Sequence, residues 1–98
     1  MITKDSTHSS TVVVSFISMA SGIDTKMLPV FEKIFGDYNQ SKNCRLDSTI
    51  KKWGREGERD YCITSSNATC LKKFTSELKS KFKDNKRILI IENATCRK

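Results

Sequence analysis

The chain has a single histidine, a single proline and four glycines, and it lacks any apolar run approaching the ~20 residues that cross a bilayer. Each scarcity excludes something. So few glycines and prolines rule out a low-complexity or collagen-like chain. The lone histidine, His8, lies in a polar leading segment, so no ordered imidazole is on offer as the base for a cysteine nucleophile or as a metal ligand. None of the four cysteines forms a Cys-x-x-Cys pair, which argues against a structural zinc site. The longest apolar stretch, Thr11 to Ala20, could pass for the core of a signal peptide. Its leader MITKDSTHSS sets Lys4 against Asp5 and so lacks the positive charge of such a segment. The stretch therefore reads as a strand, and the compartment as cytoplasmic, with no membrane contact.

What is present suits one small domain. Ninety-eight residues with 37% hydrophobic and 30% charged content can close one core, but leave no room for a deep cofactor cavity, so no cofactor is expected. Eighteen Lys and Arg against eleven acids give a net charge of +7, which favours an anionic partner: nucleic acid, an acidic protein surface or phosphorylated lipid.

Along the chain, residues 1–10 are polar and aperiodic and read as a flexible arm; residues 11–98 read as a single α+β domain. Val12 to Met19 is apolar on both faces, as an interior strand requires. Asp24 or Thr25 offers a helix cap, and Met27, Phe31, Ile34, Phe35 and Tyr38 recur at helical steps. Pro29 belongs in the first turn, and Asn39 to Asn43 reads as a loop. Cys44 to Trp53 and Glu58 to Thr64 read as strands joined by the hairpin turn Gly54-Arg55-Glu56-Gly57. A second helix from Ala68 to Lys83 carries the stripe Leu71, Phe74, Leu78 and Phe82, and Arg87 to Glu92 is the last strand.

That order, βαββαβ with right-handed crossovers, predicts a ferredoxin-like split βαβ fold: a four-stranded antiparallel sheet with two helices on one face. The other face is expected to stay open. The last strand, apolar on both sides yet at an edge, invites extension across a homodimer.

The predicted topology gathers two poles. One holds all four cysteines. Reduced, partly buried thiols are the favoured reading there; a disulfide joining Cys70 or Cys62 to Cys96 is the rival. The other pole holds Asp24, Trp53, Arg55, Glu56 and Glu58, which could form a recognition patch or an acid–base pair, or be a solvated hairpin with Trp53 packing on its own sheet. The basic residues Lys72, Lys73, Lys79, Lys83, Lys86 and Arg87 crowd the second helix and its exit, with Lys81 among them. Together with Lys51, Lys52 and Arg55 they could track phosphates. The paired aromatics that ferredoxin-like RNA binders place on their central strands are missing, since Val12–Phe16 and Arg59–Tyr61 stand there. Asn67-Ala68-Thr69-Cys70 recurs as Asn93-Ala94-Thr95-Cys96. Both are formal glycosylation sequons, relevant only in a secreted chain, and the repeat reads as coincidence.

The segments Ser21-Gly22-Ile23-Asp24, Trp53-Gly54-Arg55-Glu56-Gly57-Glu58 with Asp60-Tyr61-Cys62, and Glu92-Asn93…Cys96 resemble a pattern in short bacterial proteins of uncharacterised role. The resemblance spans residues 12–96 but is held by those three segments. It implies a bacterial, cytosolic α+β protein and no activity. The expected function is thus that of a small non-enzymatic binding protein with an unknown protein or anionic partner. The alternatives are a nucleic-acid-binding protein using the basic helix, and a small enzyme using the acids and Arg55 of the hairpin pole.

Overall fold

A computed structural model describes residues 10–18, 22–40, 44–93 and 96. Six elements follow in chain order: β1 (Ser10–Phe16), α1 (Leu28–Gln40), β2 (Asp47–Lys52), β3 (Arg59–Ser65), α2 (Ala68–Lys81) and β4 (Ile88–Glu92). The strands form one sheet in the order β2-β3-β1-β4, and every neighbouring pair is antiparallel. The α+β class and the four-stranded antiparallel sheet with two helices are as the sequence predicts.

Alternation along the strands decides the faces. Val12, Val14 and Phe16 of β1, Tyr61 and Ile63 of β3 and Ile88 of β4 point to one side. There they meet Phe31, Ile34 and Tyr38 of α1 and Leu71, Phe74 and Leu78 of α2 in one core. Its centre is aromatic: Phe31 lies 4.6 Å from Tyr61, and Phe16 makes edge contacts with both Phe31 at 5.9 Å and Tyr61 at 5.7 Å. Ring pairs at such separations add about 0.5–1.5 kcal/mol each beyond area burial.

Several boundaries differ from expectation, each for a local reason. Strand β1 begins at Ser10, inside the predicted arm; residues 1–9 lie outside the described residues, as do 19–21. Neither Asp24 nor Thr25 caps α1. The Met27 N–H donates to the Asp24 carbonyl at 3.1 Å in a preceding turn, and the helix starts only at Leu28, with Pro29 second. Helix α1 runs on through Asn39 and Gln40, which were expected in a loop. Strand β2 starts at Asp47 rather than Cys44, because the Asn39 side chain clasps the Leu46 backbone. Its Oδ1 accepts from the Leu46 N–H at 2.6 Å and its Nδ2 donates to the Leu46 carbonyl at 3.1 Å. Those backbone groups are thereby withdrawn from any ladder, and Arg45 beside them is left-handed at φ 55.

The face away from the helices is not open at its centre. Val13, Ser15, Asp60 and Cys62 are all buried there, contrary to the expected solvated face. Two attachments account for part of this cover. Trp53 folds back so that its Nε1 donates to Asp60 Oδ1 at 2.9 Å, and Cys96 is bonded to Cys62. Ser15 Oγ donates to the same Asp60 oxygen at 2.6 Å. Charge-assisted bonds of this kind offset the cost of burying a carboxylate. Among the described residues, only the β4 edge of that face stays apolar and exposed, at Leu89 (43%) and Ile91 (46%).

Tyr38 ties α1 to α2. Its hydroxyl donates to Glu77 Oε1 at 2.8 Å, and burial, followed by the hydrogen bond and the charge of Glu77, pushes the phenol from 10.0 up to about 12. A raised folded-state value means stability fully present below pH ~10 and lost as pH rises through the folded value. Denaturant unfolding of the wild type should therefore weaken relative to Tyr38→Phe between about pH 10 and 12. A constant difference between the two proteins across that window would refute the coupling.

Candidate binding surface at the lysine-rich pole

The hairpin acids are held by the turn that carries them. Trp53 N–H donates to the Glu58 carbonyl at 3.0 Å, and Gly54 (φ +74) and Gly57 (φ +88) supply the left-handed geometry between. The Glu58 carboxylate accepts from the Glu56 N–H at 2.8 Å and packs directly over Gly54, where a Cβ would collide with it. Glu56 in turn accepts from the Ser18 hydroxyl, and Ser18 Oγ accepts from the Gly22 N–H at 3.0 Å. Asp24 accepts from Asn85 Nδ2 at 2.9 Å, joining the turn before α1 to the turn after α2. Of the residues expected in a recognition patch, Asp24, Trp53, Glu56 and Glu58 are thus engaged in structural hydrogen bonds, while Arg55 is exposed.

The basic residues divide. Lys79 and Lys81 occupy the last turn of α2, where their charge complements the helix dipole. Lys79 also pairs with Glu92 on β4. Lys83 and Lys86 lie beyond the helix and are exposed, so neither helix stability nor an ion pair among the described residues accounts for them. Lys72 and Lys73 are exposed on the first half of α2, away from this group. Lys51 and Lys52 sit on β2, the opposite edge of the sheet from β4. Three strand spacings of ~4.8 Å separate those edges, about 14 Å, so the hairpin lysines stand apart from the cations beside β4.

Two shallow adjoining grooves form where α2 ends. One, of about 630 Å³, runs between Asp24 and Met27 on one side and the segment from Ser80 to Arg87 on the other. The second, of about 560 Å³, shares Phe82 to Lys86 and continues along Ile88, Leu89 and Ile90 beside Lys79. Lys79, Lys81, Lys83, Lys86 and Arg87 stand around them against the acids Asp24 and Asp84. The floor is apolar, with Phe82 and Ile88 buried and Met27 and Ile90 partly so. Sequence reasoning found the lysines but missed the apolar residues beneath them. Met27, Phe82 and Ile88 read as core positions and nothing else.

The cysteine pole is cross-linked. Cys44 bonds to Cys70, with Cα atoms 5.6 Å apart, and Cys62 bonds to Cys96, with Cα atoms 5.7 Å apart. No cysteine among them is a free thiol, in place of the reduced state favoured from sequence. Cys62 and Cys96 are partners, as the rival reading allowed, but Cys70 takes Cys44, which no expectation named. The reason is the Asn39 clasp: it turns Cys44 out of the strand and into the core, facing the first turn of α2. The bridges lie on opposite sides of the sheet, since Cys44 belongs to the helix-side core while Cys62 pairs across with Val13 on the other face.

No protein-family model, curated protein or solved structure matches the chain.

Two tests follow from this geometry. Reduction should lower stability strongly, because closing loops with sequence separations of 26 and 34 is worth about 3–4 kcal/mol per bridge. Unfolding midpoints of Cys44→Ala/Cys70→Ala and Cys62→Ala/Cys96→Ala variants would measure each, and an unchanged midpoint would show the bridge is dispensable. At the turn, Gly54→Ala should cost about 1 kcal/mol or more, whereas Gly36→Ala, in open space on α1, should gain about 0.5–1 kcal/mol. Chemical denaturation of the two variants checks the contrast in sign.

Proposed function

We propose that the chain is a non-enzymatic binding protein that takes an extended, acidic segment of another protein along the groove between the end of α2 and strand β4. The observation that carries this reading is the placement of Lys83 and Lys86 beside an apolar floor of Phe82 and Ile88, next to an edge strand. An edge strand offers backbone hydrogen bonds to an added strand, and the lysines select acidic side chains on it. A second copy of the chain suits this edge less well, because each copy carries +7.

The strand order and the alternation of elements support the ferredoxin-like split βαβ label. Nucleic acid is the second reading, favoured by the further exposed cations Lys72 and Lys73 on α2. It is weakened by Trp53, the one tryptophan, whose ring is drawn onto the sheet at Asp60 rather than offered to a base. Catalysis at the hairpin is supported less, since its carboxylates hold the turn. The cytoplasmic placement drawn from the leader stands against two disulfides, which favour an oxidising compartment.

Fluorescence anisotropy with a labelled peptide alternating Glu and Val, and with a single-stranded oligonucleotide of equal charge, tests the reading. Wild-type chain should prefer the peptide, and Lys83→Glu/Lys86→Glu should weaken it about tenfold or more. Equal binding by that variant, or preference for the oligonucleotide, would overturn the acidic-segment reading. A dimeric mass in light scattering would instead assign the β4 edge to a second copy.

A further inference from the structure

We infer that Asn67 is an N-glycosylation site and that the chain matures in a eukaryotic-type secretory compartment. Four observations meet there. Asn67-Ala68-Thr69 has the acceptor pattern, with alanine rather than proline in the middle. Asn67, Ala68 and Thr69 are all exposed, at the entrance to α2. The Asn67 side chain caps the helix through Oδ1, which accepts from the Cys70 N–H at 3.0 Å, while Nδ2 makes no hydrogen bond among the described residues. The fourth observation is independent of the motif. All four cysteines are consumed in two disulfides, and such bridges form and persist where secreted proteins are made, not in the cytosol.

The transfer uses the atom the fold leaves idle. The sugar C1 of a lipid-pyrophosphate-linked oligosaccharide forms a bond to Nδ2 while its bond to the pyrophosphate oxygen breaks. Nδ2 gives up one proton to a base, and the lipid pyrophosphate departs. Oδ1 remains an acceptor, so the cap to Cys70 survives the modification. The site also leaves the lysine groove clear. Asn67 stands at one end of α2 and the groove at the other, about 21 Å away along fourteen residues at ~1.5 Å each. Of the two other sequons, Asn39-Gln40-Ser41 has its Nδ2 bonded to the Leu46 carbonyl at 3.1 Å and its Ser41 outside the described residues, and Asn93-Ala94-Thr95 begins at an exposed Asn93 but has its Thr95 outside them too, so the assignment is confined to Asn67. The inference is independent of the proposed partner, and it replaces the cytosolic, bacterial placement expected from sequence.

Peptide mass spectrometry of the protein purified from its native source is the direct test. The peptide containing Asn67 should carry an N-acetylhexosamine-based glycan, and peptide N-glycosidase should convert Asn67 to aspartate. An unmodified Asn67 in that material overturns the assignment. In parallel, the full chain behind a cleavable secretion leader in a eukaryotic host should show a glycosidase-sensitive gel shift. Thr69→Ala, which keeps the Asn67 cap, should lose the Asn67 glycan. A wild-type chain left bare at Asn67 in that host would overturn the inference as well.

Discussion

Strand β1 is the constraint on which the structure depends. It lies between β3 and β4, and both of its faces are buried: Val12, Val14 and Phe16 toward the helices, Val13 and Ser15 away from them. A strand of seven residues buried on two sides must satisfy its backbone wholly through its neighbours, which fixes the register of both. A slip of one residue would send Val13 and Ser15 into the aromatic core and Phe16 out of it. Ser15 is the polar residue among the buried positions described on this strand, and it is admitted because the Asp60 carboxylate on the adjacent strand accepts its hydroxyl.

From that centre, burial falls away toward the edges, and the chain answers each edge differently. The β2 edge has every residue exposed, and its apolar member, Ile50, is half in solvent. Its far end is held by the hairpin, where two left-handed glycines and the Glu58 carboxylate close the turn. The β4 edge, five residues long, keeps its apolar side chains and is flanked by lysines instead. Charge thus stands on the rim of this edge rather than along the strand itself. The disulfides add what a core of this size supplies only narrowly, one bridge on each side of the sheet.

Much of this was legible in the residues. The stripes of α1 and α2 and the two-sided apolar character of β1 reflect burial against several neighbours at once, a demand strong enough to mark the sequence directly. The boundaries were not, because side chains decided them: Asn39 reaching Leu46 ended α1 later and started β2 later than periodicity suggests. The same contact hid the partner of Cys70, since a Cys44 read as part of a strand points along a ladder and not into the core. The groove at the end of α2 was half visible. Lysine clustering is a property of sequence, whereas the apolar floor arises where Phe82 leaves the helix and Ile88 enters the sheet, a juxtaposition made by the turn at Asn85. Trp53 was legible as a residue packing on its own sheet, but its partner Asp60 was not, because a buried acid has no periodic signature.

The two disulfide loops interleave along the chain, 44 to 70 and 62 to 96, so that each encloses one end of the other. Two exposed turns, the hairpin at Arg55 and the lysine-rich segment after α2, each fall inside one of these loops. A protease that cuts after basic residues at either turn would sever the backbone yet release nothing, since the pieces stay joined through sulfur. Continuity of the molecule is therefore kept by a network and not by the peptide chain alone. The surface richest in protease targets can be left exposed without putting the integrity of the whole at risk.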